Sequence, residues 1–190
     1  MEAICTNVSG LFQLVMHFKQ KFQYCPSCGA SFIDHNFKSK TCEQCGFTFY
    51  HNPSAAVAVF ICNASGEVLV CRRAKEPAKG TLDLPGGFVD YGETAEEAVR
   101  REVQEETGVF LSSVGYLFSL PNTYVYSDLD VPTLDLFFRA SVVDEVSLFA
   151  ADDVSECFFV PISQLDATQF GLRSISDAVR KFQVECRGEK

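Results

Sequence analysis

Glu102, Glu105 and Glu106 sit close together in the run GGFVDYGETAEEAVRREVQEETGV, from Gly86 to Val109, on what reads as one face of a helix. Ala95, Ala98, Val99 and Val103 recur at helical spacing on that same face, so the acids share the side that should pack. Like charges three and four residues apart repel by a few tenths of a kcal/mol when exposed, and partial burial raises the cost unless protons or cations neutralise them. Arg101 reaches Glu105 one turn on, but one guanidinium cannot neutralise three carboxylates. A hard divalent ion, Mg²⁺ or Mn²⁺, suits such an oxygen cluster. From helical phase alone a second reading stays open, a salt-bridged helix with Glu105 and Glu106 at its wet edge.

The element that must carry these acids is well marked. Thr94 with Glu97 three residues on has the capping-box pattern, and Gly108 supplies a C-terminal stop, which predicts a helix over Thr94–Thr107. Glu96, Glu97, Arg100, Arg101 and Gln104 form its solvated side. Before it, the Gly86-Gly87 pair reads as a tight turn whose backbone can approach a metal or a phosphate with no Cβ in the way.

The order of these residues closely resembles the Nudix box: Gly87, then Glu93, then Arg101-Glu102-Val103, Glu105-Glu106 and Gly108-Val109 stand at each of its fixed positions. Members of that family cleave a diphosphate linked to another group, usually a nucleoside diphosphate derivative, by metal-assisted attack of water on phosphorus. The resemblance implies that Gly87, Glu102, Glu105 and Glu106 contribute to a Mg²⁺ or Mn²⁺ site, that one of the three glutamates also acts as general base, that Glu93, Arg101, Glu102 and Glu105 serve catalysis, and that Arg101 does so by orienting a carboxylate, Glu93. Further on, DDVSECFFVPISQL resembles the segment around the family's last core strand, and Glu156 stands where an acid often completes the metal site; Asp152 and Asp153 are the alternatives.

A second cluster precedes the box. Cys25, Cys28, Cys42 and Cys45 form two CxxC pairs, each closed by a glycine, with thirteen residues between them. That spacing predicts a tetrahedral thiolate site for Zn²⁺ in a zinc ribbon. Four sulfurs fill the coordination sphere, so this metal is structural. A pair of disulfides is the competing reading. Against it stand five further cysteines (Cys5, Cys62, Cys71, Cys157, Cys186) and the lack of a secretory signal, which suit a reducing, cytoplasmic setting. His35 and His51 read as loop residues rather than ligands.

At 190 residues, with 47% hydrophobic content and eighteen phenylalanines, the chain has room for one medium core and a small appendage. Residues 1–21 read as an N-terminal arm or short helix, 22–51 as the ribbon and 53–190 as the larger domain. Apolar runs at Ala55–Cys62, Glu67–Arg73, 117–120 and 134–143 read as strands, and Arg173–Cys186 as a helix. With the box helix after the third strand, this order resembles the Nudix α/β/α sandwich with a mixed sheet, an α/β fold. A net charge of −9 argues against a general nucleic-acid surface, the lysines at 19, 21, 38 and 40 making only a modest basic cluster. No membrane-length apolar run occurs.

A zinc ribbon directly before a Nudix domain resembles the NADH pyrophosphatase subgroup, whose members cleave dinucleotides, in some cases remove NAD caps from RNA, and are commonly dimers. The resemblance thus implies a homodimer and a small nucleotide diphosphate as substrate. The subgroup's Ser-Gln-Pro-Trp-type signature corresponds here to SLPNTY, Ser119 to Tyr124, with Leu120 and Asn122 in place of glutamine and tryptophan. The first reading of this loop is a plain exposed turn; the competing, functional reading has Tyr124 and Tyr126 stack on a base, with Asp128 and Asp130 nearby for ribose hydroxyls. The expected activity is Mg²⁺-dependent hydrolysis of a nucleoside diphosphate derivative such as ADP-ribose, a dinucleotide or a nucleotide sugar. The alternatives are a nucleotide-sensing or RNA-associated regulator and, less favoured, a diphosphate isomerase.

Overall fold

The structure is a computed structural model that describes residues 16–142, 148 and 150–188. The proposed N-terminal arm lies outside the described residues as far as residue 15, as do Cys5 and position 143, the last of the strand expected over 134–143. The described part divides into two units, one of residues up to Ser54 with Thr123–Thr133, the other of Ala55–Asn122 with Leu134 onward. Among the described residues no helix is long and apolar enough to cross a membrane.

The first unit begins with a single helical turn, α1 (Phe18–Lys21), and a three-stranded antiparallel sheet, β1 (Ile33–Asn36), β2 (Ser39–Thr41) and β3 (Thr48–Tyr50), in that order. Among its described residues the buried apolar content is small: Phe18 is buried against Phe22, Phe49 and the His51 ring, and Phe32 packs beside Cys25 and Cys42. A unit with so little apolar area relies on cross-links or metal for independent stability. His35 lies in β1 rather than in a loop, because the hairpin it belongs to pairs Ile33 with Thr41. His51 is outside the strands, and its Nε2 lies 3.2 Å from the Asp130 carbonyl oxygen.

The second unit is built on a mixed sheet of β4 (Ser54–Cys62), β5 (Glu67–Arg73), β6 (Leu82–Asp83), β7 (Gly86–Phe88), β8 (Leu111–Tyr126), β9 (Leu129–Val142) and β10 (Val154–Pro161), except that Ser54 and the Thr123–Thr133 parts of β8 and β9 belong to the first unit. Its main path runs β10-β5-β4-β9-β8, with β6 on β5 and β7 on β4. Alternation along β4 shows how the layers form. Val57, Val59 and Ile61 face a core containing Ala98, Val99 and Val103 of helix α2 (Ala95–Thr107). Ala58 and Phe60 face the other core, with Ile175, Ala178, Val179 and Phe182 of helix α3 (Arg173–Arg187). A strand apolar on both faces must be covered on both, and that requirement produces the α/β/α layering.

Three sequence expectations change here. Helix α2 follows the fourth strand of this sheet, not the third, because the two-residue β6 pairs with β5 at Cys71 and Arg72. Gly86-Gly87 is not a turn but part of β7, with Gly86 opposite Ala58 and Gly87 opposite Val57. Ser119–Tyr124 is likewise strand, inside β8, and the chain reverses at Ser127 and Asp128, both at positive φ. Pro121 is compatible with that strand because β8 ends the main path, where a missing donor breaks no interior ladder.

Candidate metal and catalytic site

Helix α2 starts at Thr94, whose hydroxyl accepts from the Glu97 amide while the Glu97 carboxylate accepts from the Thr94 amide. It stops at Gly108 in the left-handed conformation. Val99 and Val103 pack the helix on the core beside the sheet and so fix the direction of the neighbouring acids Glu102, Glu105 and Glu106. The acids do not share one environment. Glu106 is 7% exposed and its Oε2 accepts from the Gly86 amide at 3.0 Å. Glu102 is half-buried, whereas the Glu105 side chain is 53% exposed. Neither sequence reading covers this completely, since Glu106 lies below the wet edge and Glu105 upon it.

One guanidinium gathers the rest. Arg101 donates from Nε and Nη2 to the two oxygens of Glu93 at 3.1 and 2.6 Å, and from Nη1 to Glu102 at 2.9 Å and Glu105 at 3.2 Å. Its Nη2 also donates to the Phe88 carbonyl at 3.0 Å, which ties the end of β7 to the helix. The structure therefore joins Glu93, Arg101, Glu102 and Glu105 in one network and sets Glu106 beneath it. Hydrogen bonding from Arg101 holds the Glu93 carboxyl below its ordinary range. Burial pushes Glu102 up, and pushes Glu106 up to about 9, with the charge of Glu102 adding to the effect. A carboxyl in that state is either protonated or compensated by a cation. Gly87 leaves room for the cluster, because a Cβ there would collide with the Glu102 carboxylate.

Glu156 is not part of this network. Its carboxylate pairs with Arg72 at 3.0 Å across the β10–β5 ladder, and the alternative acids Asp152 and Asp153 both pair with Lys75. Tyr124 and Tyr126 belong to the other unit, at the β8–β9 hairpin tip, Tyr126 exposed and Tyr124 half-buried. Asn122 donates to Asp135 at 3.1 Å, and the same carboxylate oxygen accepts from Ser174 at 2.5 Å. No motif announces Arg73 and Asp83, which form an ion pair at 2.5 Å with Asp83 buried. The one sequence signal was an acid inside an apolar run, Leu82-Asp83-Leu84.

In the first unit, the Cys25, Cys28, Cys42 and Cys45 sulfurs all lie within 4.8 Å of one another, the only such group of potential ligands among the described residues. Cys25 and Cys45 are 3.7 Å apart, and Cys28 and Cys42 3.5 Å. A tetrahedral zinc with bonds of ~2.3 Å requires sulfur spacings of about 3.8 Å, so the donor set fits. Gly29 and Gly46 take positive φ, and their amides donate to Cys25 and Cys42 carbonyls at 2.9 Å each, closing two equivalent knuckles. The Cys45 backbone amide draws the Cys42 thiol down to about 7, toward the thiolate a metal binds.

A family model described as NUDIX domain matches residues 52–179. An ADP-ribose pyrophosphatase of Methanocaldococcus jannaschii is 35% identical over 126 residues, 65% of this chain and 71% of that protein. An NAD-capped RNA hydrolase, NudC, of Deinococcus radiodurans is 29% identical over 159 residues, 79% of this chain but 56% of that one, so the chain spans little more than half of that relative. A NUDIX hydrolase of known structure from Nitrosomonas europaea superposes with a TM-score of 0.68 at 22% identity, covering 88% of this chain and 94% of its own, a likeness of fold.

Proposed function

Because the chain belongs to the Nudix hydrolase family, we propose that it cleaves the diphosphate linkage of a nucleoside diphosphate derivative, with Mg²⁺ or Mn²⁺ held by Glu102, Glu105 and Glu106. The observation that carries this reading is the acid cluster of α2, ordered by Arg101 above and buried at Glu106 below. The donors are hard carboxylate oxygens, one of them in a place where a charge needs a cation, and that chemistry fits Mg²⁺ or Mn²⁺. When bound, such an ion supplies charge neutralisation for the diphosphate and acidifies a water molecule.

The chain's own residues do the rest. Arg101 holds Glu102 and Glu105 in register and takes Glu93 as its counterweight, so that the carboxylates do not collapse onto separate partners. Glu105, the most open of the three, accepts the proton of the attacking water at a carboxylate oxygen. Glu156 is a further acid for the site only if it leaves Arg72. The four cysteines hold Zn²⁺, which adds to the small apolar cluster of Phe32, Cys25 and Cys42 in stabilising that unit.

ADP-ribose is the substrate class we favour. The M. jannaschii relative is named for that activity, while here Leu120 packs against the apolar core and Asn122 is engaged by Asp135, so neither supplies the dinucleotide signature. The test is incubation of the zinc-loaded protein with Mg²⁺ or Mn²⁺ and a panel of ADP-ribose, NADH and a nucleotide sugar, with the products identified. We expect AMP and ribose 5-phosphate from ADP-ribose. A folded protein that cleaves no diphosphate overturns the proposal, and tight binding without turnover would point instead to a nucleotide sensor.

A further inference from the structure

Cys71 and Cys157 stand opposite each other on β5 and β10, and their sulfurs are 3.1 Å apart. Cys157 packs against the core covered by α2, and Cys71, paired with it and two residues from Leu69 of that core on β5, faces the same side of the sheet. They come from sequence positions 86 residues apart, so the sheet register alone creates the pair. Directly paired antiparallel residues have Cα separations of about 4.5–5.5 Å, inside the range that disulfides span. An S–S bond is ~2.05 Å long, so closure requires the sulfurs to approach by about 1 Å. The two thiols also differ in access, Cys71 being fully buried and Cys157 half-buried.

We propose that Cys71 and Cys157 are a thiol–disulfide modification site whose co-substrate is a small-molecule disulfide. The Cys157 thiolate attacks one sulfur of the oxidant, forming a mixed disulfide and releasing one thiol. Cys71 then attacks Cys157 Sγ, and the departing sulfur takes up the Cys71 proton and leaves as the second thiol. Two protein thiols lose two electrons and two protons, and the oxidant gains them as two thiols, so the exchange balances. The buried partner protects the first adduct from persisting, since Cys71 is already in position to displace it. β10 ends the main path of the sheet, and the bridge fastens that end strand to β5. This chemistry does not depend on what the acid cluster does.

The test uses the zinc-loaded protein and oxidised glutathione, followed by alkylation and peptide mapping without reduction. The expected result is a linked Cys71–Cys157 peptide pair, a protein mass lower by two hydrogens, unchanged zinc content and a higher thermal midpoint. Cys157→Ser should abolish the mass loss and leave Cys71 reduced. The proposal is overturned if Cys71 and Cys157 both remain alkylatable after oxidation, if Cys157 is recovered as a stable glutathione adduct with Cys71 free, or if the mass loss persists in the Cys157→Ser protein. The wild-type peptide map decides the matter even if the variant fails to fold.

Discussion

Arg101 Nη2 lies 2.6 Å from Glu93 Oε1, and through this bond the residue just before the helix cap is fastened to the middle of the helix. The same guanidinium reaches Glu102 and Glu105, so its planar fork sets three carboxylates at once. Lysine offers a point charge and cannot reproduce that geometry. Arg101→Lys should therefore fold, keep KM within a few-fold, and lose about 10–100-fold in kcat, as supporting residues of metal sites do. Steady-state kinetics on the cleaved substrate with a thermal melt beside them checks this; an unchanged kcat would remove Arg101 from its positioning role.

Glu105 and Glu106 make opposite predictions for stability. Glu105→Gln replaces an exposed carboxylate and should leave the melting temperature almost unchanged while reducing kcat by roughly 10²–10⁴-fold, the usual worth of a proton acceptor. Glu106→Gln keeps the shape and places a neutral amide where burial disfavours charge. It should stabilise the metal-free protein near neutral pH and still abolish metal-dependent turnover.

The pH dependence of the metal-free protein follows from the same residue. Glu106 has an ordinary carboxyl value of 4.5 when unfolded and about 9 when folded. Between those values the folded state binds a proton that the unfolded state has released, so stability is greatest below about 4.5 and falls as pH rises towards 9. Chelator-treated protein should melt progressively lower across that window. Glu106→Gln should flatten the slope, and added Mn²⁺ should reverse it, because the cation favours the ionised form. Melts that do not depend on pH from 5 to 9 in chelator would contradict the burial argument.

The neighbouring glycines separate packing from function. At Gly86 a Cβ would strike the Val57 carbonyl and the backbone of Ala58, both fixed by the β4–β7 ladder. Gly86→Ala should cost about 2 kcal/mol or more, as steric overpacking does. At Gly87 the obstacle is the Glu102 carboxylate, the far end of a side chain that can swing away. Gly87→Ala should leave the melting temperature nearly intact and lower metal affinity, because Glu102 moves. Equal losses of stability in the two variants would refute the distinction.

How much of this was legible in the sequence differs from element to element. Helix α2 was readable end to end, because its cap, apolar stripe and terminal glycine are all local signals. The two cysteine knuckles were equally open, since their spacing is local too. What stayed hidden depends on pairing at a distance. Nothing near Gly86 says that it lies opposite Ala58, and nothing near Tyr124 says that β8 continues to Tyr126. The different depths of Glu105 and Glu106 were readable only in part: helical phase sets Glu106 between Ala95 and Val99 and Glu105 at the edge of the stripe, but the amide of Gly86 that meets Glu106 comes from the position of β7. The Cys71–Cys157 pair needed the β5–β10 register.

Zinc supplies the last prediction. The described residues of the first unit bury few apolar side chains, and the four sulfurs stand at spacings close to those of a tetrahedral site. Cys42→Ser removes a buried ligand whose thiol the Cys45 backbone amide holds near 7, and three thiolates cannot close the coordination sphere. Purified Cys42→Ser protein should therefore contain far less than one zinc per chain by elemental analysis, and should be cut readily by protease between 22 and 51, where a metal-dependent segment opens. The α2 carboxylates belong to a unit with its own two apolar cores, so the second unit should still resist protease. Full zinc retention would refute the four-sulfur assignment, and proteolysis throughout the chain would refute the independence of the larger unit.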